Sequence, residues 1–260
     1  MPMRISIDVN MEYQLNGDEM VLLAIEAARL DDQTIIEAAL EIENATLHRI
    51  AGEGMVGQRV WAFVKSERLK LRYSAVVDIV RAAVTLENLA ATPLHALPSE
   101  VLTYVRPSRF CQSDLFTEFT AQQFGHLEGG AKIAAIQNWV ASEFAYVSGS
   151  SNAGTTAIDT FFVRAGVCRD FAHVVCSLAR AANIPARYTS VYGADVNPAD
   201  FHAVAQVWLE GAWHLVDATG MCNATELVVI ATGRDAGDVA FMESAQGAQP
   251  ISQRIEVSQG

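Results

Sequence analysis

The stretch AGVCRDFAHVVCSLARAANIPARY, residues 165–188, decides the reading of this chain. From Cys168 onward, Phe171, Val174, Leu178 and Ala181 recur at helical spacing and form one apolar face. Asn183 ends the predicted helix, and Ile184-Pro185 prevents its continuation. Gly166-Val167 supplies the turn into it. Cys168 therefore falls at or just before the first turn, where unpaired backbone N–H groups and the positive end of the helix dipole converge. A thiolate is favoured there, and the same N–H groups suit the oxygen of a tetrahedral intermediate. Cys176 lies two turns in, beside the apolar face, and reads as a small core residue.

A thiolate nucleophile wants an imidazole to share its proton and a third group to orient that imidazole. His173 is on the same helix but about 140° round from Cys168, so it reads as a packing residue. His202 and His214 fall on predicted strands. FHAVAQVWL, residues 201–209, alternates, with His202, Val204, Gln206 and Trp208 on one face. Glu210-Gly211 reads as a turn, and AWHLVDATG, residues 212–220, returns with Trp213, Leu215 and Asp217 on one face. If that turn is a two-residue loop, Leu209 pairs with Ala212 and Val204 lies opposite Asp217. His202 and Asp217 are then diagonal neighbours on one face, roughly 7 Å apart at Cα. His214 has the opposite parity and faces away. A one-residue change in loop length reverses this relation.

Outward from this centre the chain is less informative. It has 260 residues, enough for one large domain or two modest ones. With 51% hydrophobic and 18% charged residues it is globular, and a net charge of −12 disfavours nucleic acid and anionic membrane as partners. No apolar run is long enough for a transmembrane helix, and MPMRISIDVNMEYQL lacks the apolar core of a signal peptide, so a cytoplasmic location is expected. Four cysteines without a CxxC do not suggest a metal site, and no cofactor or metal is expected. The first ninety or so residues read as an antiparallel β-sandwich of roughly six or seven strands. Ile5, Ile7, Val9 and Met11 alternate with polar partners, and Asn16-Gly17 signals a two-residue hairpin between two such runs. ATPLHALPSE, residues 91–100, breaks the pattern and marks a boundary between residues 1–92 and 100–260. Helices follow: one over about Asp114 to Phe124, one after Gly129-Gly130, and a short one from Ala157 to Arg164. His48 and His95 read as surface or loop residues. Asp235 and Asp238, around Gly237, read as a solvated acidic loop rather than a cation site. Tyr146, Tyr188, Trp208 and Gln206 are weaker candidates for a groove, and nothing marks Cys222 as reactive.

GVCRDFAH (166–173), IPARY (184–188) and DFHAVAQVWLEGAWHLVDATG (200–220) together resemble the motifs of the bacterial transglutaminase-like superfamily, which shares its core with papain-like cysteine proteases. PSRFCQSD (107–114) and GRDAGDVAF (233–241) also resemble the bacterial branch, and the resemblance extends over about residues 100–245. It implies an α+β fold, a papain/transglutaminase-like catalytic domain preceded by an antiparallel β-sandwich domain. It implies Cys168 as nucleophile, His202 as general base then acid, and Asp217 as orienter. Many members read His-Ala-Trp at the histidine and Asp-Pro-Thr at the aspartate; this chain reads His202-Ala203-Val204 and Asp217-Ala218-Thr219, which bears on the groove more than on the triad. The expected activity is cysteine-dependent hydrolysis of a peptide or protein amide through a thioester. The alternatives are transglutaminase-type acyl transfer to an amine, or a non-catalytic peptide-binding module that keeps the triad.

Overall fold

Alternation of apolar and polar residues sets the first strand: Ile5, Ile7, Val9 and Met11 point into the core and the residues between them do not. The same logic runs through the N-terminal part, in β1 (Met3–Gln14), β2 (Glu19–Leu23), β3 (Gln33–Ile42), β4 (Ala45–Ala51), β5 (Gln58–Val64) and β6 (Arg68–Ile79). Four helices come next, α1 (Ser99–Leu102), α2 (Thr117–Phe124), α3 (Gly129–Glu143) and, past the short strand β7 (Ala145–Tyr146), α4 (Ala157–Val163). After β8 (Ala165–Gly166) comes α5 (Cys168–Ala181), followed by β9 (Ala186–Tyr192), β10 (His202–Leu209), β11 (Ala212–Val216), β12 (Val228–Gly233), β13 (Met242–Ser244) and β14 (Gln249–Gln259). This is the arrangement of a computed structural model, which describes residues 2–17 and 19–260. The fold is α+β.

Two four-stranded antiparallel sheets, β14-β1-β6-β3 and β13-β2-β5-β4, face each other as a sandwich. A third antiparallel sheet, β11-β10-β9-β12, packs against α5. Two expectations change here. Asn16-Gly17 does not close a hairpin: β1 pairs with β6 and β14, while β2 pairs with β5 and β13, so the chain crosses between sheets at this point. A local turn signal cannot report which sheet the next strand joins. The segment read as residues 100–260 also does not stay apart from the sandwich, because β14 completes one sandwich sheet and β13 the other. The core is shared in the same way. Tyr188, Tyr192, Phe201 and Ala203 pack in one cluster with Ile5, Val9, Leu23 and Tyr73. Buried polar groups tie the two parts: Tyr192 OH donates to Ile25 O at 2.6 Å, and Gln33 bonds both the N–H and the C=O of Val229 at 2.7 and 2.9 Å.

Helix α5 is the axle of the molecule. Every residue from Asp170 to Arg180 is buried, which the one-sided apolar pattern did not anticipate. The third sheet covers one side and α3 and α4 the other, so its polar residues must find partners inside. Arg180 does so by donating to the carbonyls of Ala186, Arg106 and Arg234 and to Ser108 Oγ. His173 Nε2 accepts from Ala236 N at 3.1 Å, and Cys111 and Cys176 sit in the apolar cluster around the helix.

Candidate active site

The start of α5 is held by a carboxylate rather than by its first cap residue. Val167 stands at the N-cap and has no side-chain acceptor. Asp170, in the first turn, accepts instead from Val167 N at 2.9 Å and from Ser151 Oγ at 2.5 Å. Arg169 completes the clamp, donating to Asp170 Oδ1 at 3.1 Å and to Asn152 O at 2.7 Å. Gly166 is required by this arrangement: a Cβ there would lie 2.7 Å from Asp170 Cβ. The loop before α4 is thereby stapled to the helix end, and Cys168 sits in the first turn, partly exposed and outside any disulfide.

The hairpin behind it has the register that a two-residue loop demands. Leu209 pairs with Ala212 and Ala205 with Val216, and Glu210 and Gly211 both take positive φ, 49° and 81°. His202 and Asp217 share a face, and His202 Nε2 lies 2.9 Å from Asp217 Oδ2, both side chains being buried. Asp217 is fully engaged. Its Oδ1 accepts from Thr219 N at 2.8 Å and Thr219 Oγ1 at 2.6 Å, and its Oδ2 also takes Cys222 N at 3.2 Å. Burial opposes ionisation of Asp217, but the bond to His202, its charge and the Thr219 donors hold its pKa below the usual carboxylate value. Burial likewise opposes charge on His202. The Asp217 hydrogen bond, the Cys168 thiol and the charges of both outweigh it and raise its pKa to about 9. His202 Nδ1 is buried with no hydrogen-bond partner, and Cys168 is the other group, besides Asp217, that raises the pKa of the ring.

A cleft of about 770 Å³ opens over Cys168. Tyr188, Phe201, Phe110 and Ala236 line it from the helix-bearing part, and Met11, Tyr13 and Gln253 from sandwich strands β1 and β14. The sandwich is thus one wall of the cleft. Of the weaker groove candidates, Tyr188 lines it. Gln206 and Trp208 do not: Gln206 accepts from Arg187 and Thr189, and Trp208 packs edge-on against Trp213. His214 points away from the pair and bonds Leu209 O at 3.2 Å. His173 stacks on Phe110 and lies tilted against Tyr188, and burial drives its pKa down to about 4 against the pull of Asp235 and Asp170. His48 and His95 are exposed. The loop read as solvated and acidic is otherwise. Asp235 is buried and accepts from Phe110 N and Gly237 N, each at 3.0 Å, and Asp238 pairs with Arg234 at 2.9 Å. Among the described residues no group of three or more His, Cys, Asp or Glu converges as a metal site would require.

Residues 118–218 match the model of the transglutaminase-like superfamily, a span that contains Cys168, His202 and Asp217. A crystal structure of a candidate cysteine protease from Cytophaga hutchinsonii is 31% identical and superposes with a TM-score of 0.92, covering 100% of this chain and 91% of that one. An uncharacterized protein of Mycobacterium leprae is 30% identical over 139 residues, 48% of this chain and 49% of that protein, so the match spans about half the length of that curated relative. The periplasmic domain of TgpA from Pseudomonas aeruginosa is more distant, at 19% identity and a TM-score of 0.43 over 82% of this chain. The chain belongs to the transglutaminase-like superfamily and has a cysteine-protease-like fold. No helix among the described residues is long and apolar enough to cross a membrane.

Proposed function

We propose that this protein is a cysteine-dependent hydrolase of peptide or protein amides, with Cys168, His202 and Asp217 as its triad. The observation that carries the reading is the buried, charge-paired His202–Asp217 couple acting on a partly exposed thiol at a helix N-terminus, beneath an open cleft. Cys168 Sγ, its proton held by His202, attacks the amide carbonyl carbon, and the carbonyl π electrons move to oxygen. The backbone N–H groups at the start of α5 suit that oxyanion. The oxyanion collapses, the C–N bond breaks, and the imidazolium protonates the departing nitrogen. A thioester remains. Neutral His202 then takes a proton from water, which attacks the thioester; the C–S bond breaks and the carboxylic acid and free thiol are released. Asp217 stays ionised throughout and stabilises the imidazolium. A cytoplasmic location suits the reading, since a reducing compartment keeps such a thiol available.

The test is hydrolysis of a peptide-amide panel followed by mass spectrometry, with alkylation of Cys168 by iodoacetamide measured against pH in parallel. The wild type is expected to release acid products that Cys168→Ala does not. Cys168 is expected to alkylate rapidly well below pH 8, selectively over the other three cysteines, and His202→Ala to alter that profile. Undiminished hydrolysis by Cys168→Ala overturns the reading. Slow, unselective labelling together with peptide binding and no turnover favours a binding module, and turnover only with an added amine favours acyl transfer.

A further inference from the structure

Asp200 stands two residues before His202 and lines the same cleft as Cys168. Its Oδ1 accepts from Phe201 N at 2.7 Å and from Gln253 Nε2 at 2.7 Å. Gln253 comes from β14, at the far end of the chain, and its Oε1 accepts from Tyr13 OH of β1 at 3.3 Å. The sandwich therefore orients a carboxylate that belongs to the loop leading into the His202 strand. Oδ2 of Asp200 has no hydrogen bond and Asp200 no ion pair among the described residues. The Tyr146 phenol is pushed up to about 12 by burial first, then by Cys168 and more weakly by Asp200. The cations of the cleft are otherwise engaged. Arg169 is clamped to Asp170, Ser151 and Asn152, and the Arg109 guanidinium lies 5.0 Å over the Phe110 ring. Asp200 is exposed at the cleft, and its partial burial raises its pKa against its two donors.

We infer that Asp200 is a recognition residue for a lysine or arginine side chain carried by the peptide substrate close to the reacting amide. The inference rests on the cleft being a peptide site, as in the reading above. A carboxylate with one oxygen fixed and the other facing an open cleft offers an ammonium or guanidinium group a charge-assisted hydrogen bond without first being reoriented. The net charge of −12 draws cationic peptides toward the same surface. Phe201 and Phe241, stacked at 3.9 Å beside Asp200, provide an apolar face for the aliphatic stem of such a side chain.

The experiment separates recognition from turnover by using the full chain carrying Cys168→Ala. N-acetylated peptide amides are labelled with an uncharged fluorophore, with the central position set to lysine, norleucine or glutamate and the flanks randomised among small neutral residues. Binding is read by fluorescence anisotropy. The lysine pool is expected to bind about fivefold more tightly than the norleucine pool at low salt, the scale of one exposed ion pair. The preference should shrink toward unity at high salt. Asp200→Asn in the same background should abolish it while leaving the norleucine pool within about twofold of its original affinity, on the same scale. Equal binding of lysine and norleucine pools, a preference that survives Asp200→Asn, or no binding by any pool overturns the proposal. Hydrolysis of the norleucine pool by the wild type tests the triad separately, so failure of one does not mimic failure of the other.

Discussion

At the scale of single residues, the Asp217 carboxylate is the most constrained group of the site, with both oxygens bonded to named donors. Asp217→Asn preserves its shape and removes its charge. The His202 pKa is then expected to fall from about 9 toward its ordinary value, and amide hydrolysis to drop by on the order of 10³- to 10⁴-fold. NMR titration of the His202 ring together with steady-state rates checks this, and an unmoved titration contradicts it. The same pKa shifts give stability a pH profile. His202 is raised above its free value, so its contribution is complete below pH 6.5 and is lost as pH rises through about 9. Asp217 is lowered, so its contribution holds above about pH 3.8 and is lost as pH falls further. His173, kept neutral down to about pH 4, makes the unfolded chain the better proton binder between 6.5 and 4, so stability declines across that window. Urea midpoints should be highest near pH 6.5 and should fall on both sides. His173→Gln, which keeps an acceptor for Ala236 N, should flatten the acid limb between pH 6.5 and 4. An acid limb unchanged in that variant assigns the slope elsewhere.

At the scale of elements, the β10–β11 hairpin sets which side chains meet. Its two-residue turn uses positive φ at both Glu210 and Gly211. Valine is a β-branched residue and is strained there, so Gly211→Val is expected to lower stability by about 1–3 kcal/mol. Denaturant titration reads this as a fall in the midpoint at constant slope, and an unchanged midpoint contradicts the turn assignment. The hairpin was legible in the sequence because every step is local. Alternation marks the strands, Glu210-Gly211 marks the turn, and loop length alone pairs Leu209 with Ala212. Helix α5 was legible in its limits but not in its surroundings. Periodicity locates Cys168 at its start and marks one apolar face, but residues outside that face, such as Ser177 and Arg180, are buried as well by the third sheet and neighbouring helices. Nor did it mark Asp170 as the cap, whose signal was an acid three residues after the N-cap position.

At the scale of the whole molecule, the sandwich and the helix-bearing part share one core. A piece comprising residues 100–245 would expose the sandwich-facing surfaces of Tyr188, Tyr192 and Phe201 and lose the Gln33 and Ile25 partners. It is expected to aggregate or to bind hydrophobic dye strongly, whereas the full chain is not. A soluble, cooperatively unfolding fragment by size exclusion and calorimetry contradicts this. What the sequence by itself determined is what short-range rules encode: the strands of the first part, the helix beginning at Cys168, and the parity that sets His202 beside Asp217. What only the tertiary structure decided is where distant segments meet. β13 and β14 return to the N-terminal sheets, Gln253 reaches Asp200 across 53 residues of chain, and Tyr13 reaches Gln253 across 240. Strand alternation reports that one face will be buried but carries no information about which strand will bury it. That choice is made by the collective packing of the core, and it is the choice that builds the wall of the cleft.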